Sequence, residues 1–394
     1  MKRAYFLLIA LFALNAANAQ WTEQESGISE VLNSCYFTDA NTGYAVGENG
    51  IILKTINGGS SWTTLPSGTT NWLMSICFTD TNTGYVVGHN GTILKTIDGG
   101  LNWTTLLSGT NGYLPSVCFS DVNIGYVVGD GGGISFILKT NDGGASWISK
   151  ASGIDEWFQS IYFTDTNTGY VAGFKGTIAK TINGGITWDT LSSGINLDLY
   201  SIFFTDTNTG YSVGENGTIL KTSNGGTTWT TLFSGTTSYL MSIYFPDAYT
   251  GYVVGFSGTI LKTINGGITW TTLSSETTSE LLSVFFTNDN MGCTVGNDGT
   301  ILTTTNGGGW GIGIDENYHP VNVIFPNPFS DHIMIKNETN KSVQIYLYNL
   351  NGRLISTQKT SYNTRIELNN LSKGIYILKI CDNESVYSQK IVIQ

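Results

Sequence analysis

Four carboxylates could support acid chemistry in this 394-residue chain: Asp155, Glu156, Asp198 and Glu280. All stand in polar segments between strand-like runs. Two such acids facing each other across a groove, about 5 to 9.5 Å apart, are what glycoside hydrolysis requires. The sequence has no Ser-His-Asp order, phosphate-binding glycine loop or nucleophile elbow. A polysaccharide hydrolase is therefore one function to test, and catalysis is otherwise unsupported.

Metal ligands are sparse. His89 and His319 are the only histidines of the main body and belong to separate features, so they make no zinc set. The recurring pattern of Asp80, Asn82 and Gly84 resembles half of a calcium loop but lacks the later bidentate Glu. We interpret it as a plain turn, and we expect neither a metal nor a cofactor.

The charge balance restricts the partners. Residues 20–318 contain 24 Asp and Glu against eight Lys and no Arg. A body this acidic is not expected to bind nucleic acid or an anionic membrane, because both require a basic surface. The five cysteines include no CxxC motif, and Cys77 and Cys118, at equivalent repeat positions, are interpreted as small core residues.

The first 19 residues have the pattern of a secretory signal peptide. Lys2 and Arg3 precede an apolar run, and Ala17 and Ala19 form a small-x-small cleavage site before Gln20. The run is shorter than the roughly 20 apolar residues of a membrane helix, and no other segment approaches that length. We expect an exported chain without a transmembrane segment.

A tryptophan recurs about every 41 residues. The markers are Trp21, Trp62, Trp103, Trp147, Trp188, Trp229, Trp270 and Trp310. Each of the seven intervals contains four β-branched or aromatic runs separated by Gly, Asn and Asp turns, which indicates one four-stranded antiparallel blade. The predicted fold is all-β, with a seven-bladed β-propeller over residues 20–312.

The two ends of the repeat array complement each other. Trp21 begins an outer strand that lacks its three preceding strands, and the seventh copy, TTNGGGW, is one residue short, so Trp310 cannot sit as the others do. We therefore predict that the N-terminal strand completes the last blade and closes the ring, removing two exposed sheet edges.

The turn before each tryptophan resembles the Asp-box of BNR repeats, as in Thr96-x-Asp98-x-Gly100-x-x-Trp103. Its Asx side chain is expected to cap turn amides. The predicted structural caps are Asn57, Asp98, Asp142, Asn183, Asn224, Asn265 and Asn306.

Residues 20–312 look like the photosystem II assembly factor family and, more loosely, other Asp-box proteins such as sialidases, sortilin-type receptors and xyloglucan-cleaving glycosidases. Sialidase chemistry is excluded because the propeller has no arginine to clamp a carboxylate. The basic patch expected of a photosystem assembly factor is absent too, so that family's partner is not implied. Xyloglucan-cleaving enzymes generally pair two propellers, and only one is present.

An Asp in the first turn and a Lys in the third strand recur in six repeats and vanish together in the seventh, as Asn288 and Thr303. We predict structural ion pairs, with Asp80 and Lys95 and likewise Asp206 and Lys221 as examples. Decay of the last repeat is the alternative explanation.

After a linker at residues 313–320, residues 321–394 alternate as the strands of a small β-sandwich. This tail resembles the type A sorting domain of the type IX secretion system of Bacteroidota, through Pro326–Phe329, Asn351–Arg353, Leu371–Tyr376 and the ending from Lys390. The resemblance implies the type IX machinery as a partner, export, and removal of the tail with release or surface anchoring of the body. An ordinary fibronectin-like binding sandwich is the alternative.

The uniform turns belong to one end of each blade and the variable loops to the other. One variable set, ten residues after each tryptophan, is Val31, Trp72, Tyr113, Trp157, Asp198, Tyr239 and Glu280. The second set, between the second and third strands, is Glu48, His89, Asp130, Phe174 with Lys175, Glu215, Phe256 and Asn297. These sets suit binding of a glycan or a surface protein, although the aromatics could equally cap the blade cores. The leading hypothesis about function is a non-catalytic binding module, and the alternatives are the hydrolase and a structural adhesin.

Overall fold

The computed structural model describes residues 21–132, 135–309, 322–325, 332–337, 342–349, 353–360, 364–367, 371–381 and 386–393. The chain divides into two separately packed units, Met1–Gly308 and Gly309–Gln394. The signal peptide, the linker, Trp310 and the Pro326–Phe329 motif lie outside the described residues. Within those residues, no helix has the length and apolar character needed to cross a membrane.

The first unit consists of seven four-stranded antiparallel sheets, which confirms the predicted propeller. The first strands are Leu32–Phe37, Leu73–Phe78, Tyr113–Phe119, Phe158–Phe163, Leu199–Phe204, Leu240–Tyr244 and Leu281–Phe286. The second strands are Gly43–Gly47, Gly84–Gly88, Gly125–Asp130, Gly169–Gly173, Gly210–Gly214, Gly251–Gly255 and Gly292–Gly296.

The third strands are Ile52–Thr55, Ile93–Thr96, Ser135–Thr140, Ile178–Thr181, Ile219–Thr222, Thr259–Thr263 and Ile301–Thr304. The outer strands are Thr63–Leu65, Thr104–Leu106, Ile148–Ala151, Asp189–Leu191, Thr230–Leu232 and Thr271–Leu273, with Thr22–Gln24 as that of blade 7. Short 3-10 turns join second and third strands at Glu48–Gly50, His89–Gly91, Phe174–Gly176, Glu215–Gly217 and Asn297–Gly299.

The N-terminal strand closes the ring as predicted. Thr22–Gln24 pairs antiparallel with the third strand of blade 7, with Thr22 opposite Thr303. Trp21 is 1% exposed and packs edge-on against Phe286 of that blade, with ring centroids 5.7 Å apart. Trp103 meets Phe78 in the same edge-on way, so Trp21 takes the tryptophan position of the last blade.

A ring of serine hydroxyls joins the first strands around the axis. Ser34 Oγ accepts a hydrogen bond from the backbone N–H of Ile76 in the next blade, at 3.4 Å. The same bond recurs at every junction, with the acceptors Ser75, Ser116, Ser160, Ser201, Ser242 and Ser283. The last of these reaches Cys35 N at 3.2 Å, so the ring continues through the closure seam.

Six of the seven Asp-box residues cap turn amides as expected, and for Asn306 the described contact is the bond from Thr304. Asp98 Oδ1 accepts hydrogen bonds from Thr96 Oγ1 and Asn102 N, at 2.8 and 2.9 Å. Hydrogen bonds to the neighbouring side chains and amides lower the pKa of Asp98. An equivalent threonine-to-Asx bond is made by Asn57, Asp142, Asn183, Asn224, Asn265 and Asn306.

The predicted ion pairs are wrong. Asp80 Oδ1 instead accepts from the N–H groups of Asn82 and Thr83 in its own turn, at 2.7 and 2.8 Å. Lys95 Nζ donates to the carbonyl oxygen of Gly143 in the next blade, at 2.6 Å. Asp206 and Lys221 behave in the same way, with Lys221 Nζ bonded to Gly266 O. The first turn, which carries the aspartate, and the Asp-box turn after the lysine do lie at the same end of the blades. The lysine side chain, however, extends into the next blade.

The lysine has a tyrosine partner. Tyr85 donates its hydroxyl to Gly143 O at 2.7 Å, and the ammonium of Lys95 lies 5.4 Å from the Tyr85 ring centroid. In blade 7, Cys293 and Thr303 replace this pair, while Asn288 still caps its turn as the aspartates do. The tyrosine, and not the aspartate, is therefore the structural partner that blade 7 loses together with the lysine.

The described strands of the second unit form two sheets. The three-stranded sheet contains Asn322–Phe325, His332–Asn337 and Thr364–Glu367, and the four-stranded sheet contains Leu354–Thr360, Val343–Asn349, Gly374–Cys381 and Val386–Ile393. Ile333 and Ile366 from the first sheet are buried with Ile345, Leu347 and Leu378 from the second. This is the predicted sandwich.

Candidate binding face

The two variable sets meet in pairs, one pair per blade. Six of these pairs share the same hydrogen bond, in which the first residue after the second strand donates its N–H to the carbonyl of the residue before the first strand; in five of them the donor begins a 3-10 turn. These five pairs are Glu48 with Val31, His89 with Trp72, Phe174 with Trp157, Glu215 with Asp198, and Asn297 with Glu280. Phe256 and Tyr239 bond likewise, and Tyr113 is paired with Asp130 by strand register. We call the surface formed by these seven pairs the variable face.

In six of the seven blades, a glycine at the end of the second strand makes this pairing possible. A Cβ on Gly88 would lie 2.0 Å from the carbonyl oxygen of Trp72, so no side chain fits there. The next residue but one, Asn90, has φ of 55°, a left-handed conformation that asparagine adopts more readily than most residues. The sequence GHNG therefore fixes the loop that carries His89 against the loop that carries Trp72.

An aromatic cluster crosses from blade 2 to blade 3. His89 lies between Trp72 and Tyr113, with ring centroids 5.2 and 4.8 Å away. Burial lowers the pKa of His89 and raises that of Tyr113 to about 12, so both are neutral at pH 7. The Trp72 side chain is nevertheless 45% exposed, which leaves an open apolar surface over a packed base.

Two further aromatic pairs lie on the variable face. Trp157 packs on Phe174 at 5.4 Å between centroids and remains 42% exposed. Tyr239 stacks on Phe256 at 5.3 Å, and both are half-buried. The half-buried rings support the blade ends, whereas the two tryptophans also present surface to solvent. The core-capping and binding interpretations therefore apply to different rings.

Lys175, which follows Phe174, brings a positive charge to the variable face. Its ammonium lies 2.9 Å from Glu156 Oε1, and its backbone N–H donates to Asp198 Oδ1 at 2.8 Å. Its φ of 53° is unusual for a lysine. The neighbouring carboxylates, Glu156 first and then Asp155 and Asp198, raise the pKa of Lys175.

Two further acids of the variable face, Glu215 and Glu280, have protein partners. Glu215 Oε2 accepts from Asp198 N at 3.2 Å, and Glu280 Oε2 accepts from Asn297 Nδ2 at 3.0 Å. Their charges add to those of Glu48, Asp130, Asp155 and Glu156, so the field above the face is negative. In the described part of the chain, no three His, Cys, Asp or Glu side chains gather as a metal site would require.

The axial channel is a second concavity, and the sequence analysis did not identify the residues that line it. A cavity of about 670 Å³ is lined by the first strands, including Tyr36, Tyr162 and Phe203. Cys77 and Cys118 also line this channel and are half-buried. The prediction that they are core residues of the blades is therefore wrong, because they lie on the channel wall. The signal was present in the sequence, because an aromatic or a cysteine recurs at this position in every repeat.

Comparisons with known proteins give two family matches. The model described as photosynthesis system II assembly factor YCF48 matches residues 62–152, 149–232 and 231–315. The model described as secretion system C-terminal sorting domain matches residues 323–394. No curated protein matches the chain.

Solved structures show the same propeller fold. YCF48 bound to D1 peptide is 18% identical, with a TM-score of 0.62 over 73% of this chain and 97% of that one. YCF48 from Cyanidioschyzon merolae is 19% identical, with a TM-score of 0.61 over 73% and 98%. The WD40 propeller domain of Doa1 is 15% identical, with a TM-score of 0.60 over 72% and 94%.

Proposed function

The chain belongs to the photosynthesis system II assembly factor YCF48 family, whose model spans residues 62–315, and on that premise we propose that it is an exported, non-catalytic binding propeller. Its ligand is a polypeptide segment with basic and apolar side chains, bound on the variable face. The C-terminal sorting domain indicates handling by the type IX secretion system and export to the cell surface or beyond. The signal peptide would supply the first step of that export.

The exposed tryptophans over packed aromatic bases carry the proposal. Trp72 and Trp157 are about half exposed, yet each is held by a neighbouring ring and by a backbone hydrogen bond through its own carbonyl. Rigid aromatic anchors of this kind lose little conformational entropy on binding and commonly dominate the binding energy.

Charge favours a basic partner. Glu48, Asp130, Asp198, Glu215 and Glu280 surround the aromatic groups, while Lys175 is already engaged by Glu156. A cationic segment is attracted by such a surface, and this attraction weakens as ionic strength rises. The family relative with a bound peptide, YCF48 with D1 peptide, supports a polypeptide as the class of ligand.

The contacts of the candidate catalytic acids support the non-catalytic proposal. Glu156 is ion-paired, Asp198 accepts a backbone N–H, and Glu280 accepts an amide. Each therefore has a structural task within the protein's own loops. The polysaccharide hydrolase remains the enzymatic alternative, to be tested by Asp198→Asn with Glu280→Gln on polysaccharide substrates.

The test is binding of the purified chain to arrays of basic, neutral and acidic peptides. We expect selection of basic peptides with aromatic or aliphatic residues. Trp72→Ala with Trp157→Ala should weaken binding on the order of 100-fold, while Tyr249→Ala, which removes a 55% exposed ring from the opposite end of a blade, should not. Equal binding by the wild type and the double tryptophan variant would refute the proposal and favour the structural adhesin.

A glycan is the second candidate ligand, because exposed tryptophan rings also stack on sugars. A neutral glycan binds with little dependence on salt, whereas a basic peptide loses affinity steeply between low and physiological ionic strength. A glycan array probed at two salt concentrations therefore distinguishes the two ligand classes.

A further inference from the structure

The seam between blade 7 and blade 1 differs from the other six. At those six, a tyrosine hydroxyl and a lysine ammonium converge on one glycine carbonyl of the next blade. The carbonyls belong to Gly99, Gly143, Gly184, Gly225, Gly266 and Gly307. The corresponding donors are missing from blade 7, where Cys293 and Thr303 stand, and the Thr303 methyl instead lies against Gly59.

Two of the residues that pack across this seam are cysteines, Cys35 and Cys293. Tyr44 of blade 1 and Ile76 of blade 2 belong to one buried cluster at the seam between those blades. At the seam between blades 7 and 1, Cys293 takes the position of Tyr44 and Cys35 takes the position of Ile76. In blades 2 to 7 the position of Cys35 is always Ile or Val. Two cysteines thus replace both members of one contact, and they do so where the ring closes.

The two side chains are close and enclosed. Cys35 is 4% and Cys293 1% exposed, and they belong to one buried cluster. Cys35 Sγ lies 3.7 Å from the carbonyl oxygen of Cys293. The neighbouring Cys35 thiol and burial raise the pKa of the Cys293 thiol. Both are thiols in this structure.

We propose that Cys35 and Cys293 form a disulfide that locks the closed ring in the exported protein. Each sulfur loses its hydrogen and one Sγ–Sγ bond forms. The two electrons and two protons pass to a disulfide oxidant of the extracytoplasmic space, whose own S–S bond is broken to give two thiols. Because the exchange requires a thiolate and both thiols are buried, it takes place while blade 7 docks on blade 1, before the seam is sealed.

This bond would reinforce the seam between blade 7 and blade 1. That seam lacks the tyrosine and lysine bonds that join the other blades, as Tyr85 and Lys95 do for blades 2 and 3. A cross-link between residues so far apart in sequence strongly restricts the unfolded chain. Cys77 and Cys118, on the channel wall, have no side-chain hydrogen bond to each other among the described contacts, so they serve as an internal control.

The experiment is peptide mapping of the full-length chain exported by its own signal to an oxidising periplasm, with free thiols alkylated in denaturant before digestion. We expect a linked pair of peptides containing Cys35 and Cys293 that separates on reduction, while the other three of the five cysteines are alkylated. Alkylation of all five, or linkage of either residue to Cys77 or Cys118, would overturn the proposal.

Variants provide a second measurement. Reductant should lower the Tm of the wild type and of Cys77→Ser, but not that of Cys35→Ser or Cys293→Ser, which have no bond to lose. If Cys35→Ser or Cys293→Ser fails to fold, the peptide map of the wild-type chain still shows whether the disulfide is present. A folded Cys35→Ser chain that responds to reductant as the wild type does would also contradict the disulfide.

Discussion

The hydrogen bonds that join a blade to the next at six of the seven seams can be measured at Lys95 and Tyr85. Both donate to Gly143 O, at 2.6 and 2.7 Å, and that glycine is buried. Tyr85→Phe removes one neutral hydrogen bond and keeps the ring, so we expect the free energy of unfolding to fall by about 1 kcal/mol. Lys95→Met removes a charged donor, for which the expected loss is about 1.5–3 kcal/mol.

The double variant tests whether the two donors share one acceptor. In either single variant the Gly143 carbonyl keeps a partner, but in the double variant it has lost both. The loss should therefore exceed the sum of the single losses by about 1–2 kcal/mol, measured by urea unfolding followed by tryptophan fluorescence. Lys150→Met, at an exposed lysine of the next blade, is the control and should change stability by less than about 0.5 kcal/mol.

Two results would refute this account. The first is additivity of the Lys95 and Tyr85 variants within about 0.3 kcal/mol. The second is an interaction energy of about 1 kcal/mol or more between Asp80→Asn and Lys95→Met, which would restore the ion pair that the structure rejects. With Asp80 bonded only to its own turn, we expect these two variants to be additive.

Three further predictions follow from single positions. Trp21→Ala should cost about 3–5 kcal/mol, because it empties a buried ring position against Phe286 and loosens the closure; urea unfolding measures this. Gly88→Ala should displace the Trp72 loop, since its Cβ would meet the Trp72 carbonyl at 2.0 Å, and peptide binding should fall with little change in the other blades' hydrogen exchange. Hydrogen bonds within its turn lower the pKa of Asp142 to about 2, below the ordinary value of an aspartate, so its contribution to stability is present above about pH 4 and is lost as the pH falls toward 2. Asp142→Asn, the residue most other blades carry, should flatten the fall in Tm over that range.

The error over the ion pairs has a geometric cause. The first turn and the Asp-box turn do meet at one end of the blades, as Gly99 N bonded to Asn82 O at 2.9 Å shows. Sharing an end does not fix which way a long side chain points, and the lysines extend into the next blade. The loss of tyrosine at Cys293 in the same repeat was visible in the sequence and indicated the correct partner.

The variable face was predicted in part. The residues ten places after each tryptophan and those of the second loop do form pairs, since both sets are fixed by the local strand and turn lengths. The contacts between pairs of neighbouring blades could not be predicted from the sequence. His89, for example, contacts Tyr113 because blade 2 packs on blade 3. Exposure separates Trp72 and Trp157 from the other rings, and it too depends on neighbouring blades.

The number of blades, the closing strand, the turn caps and the tail sandwich could all be predicted from the sequence. Each of these follows from a short-range pattern of apolar alternation, glycine and Asx residues that repeats along the chain. Only the tertiary structure decided the partners of Lys95, the channel position of Cys77 and the meeting of Cys35 with Cys293, 258 residues apart. Such contacts arise where one blade packs on the next, so they depend on the curvature and closure of the ring, which no local pattern specifies.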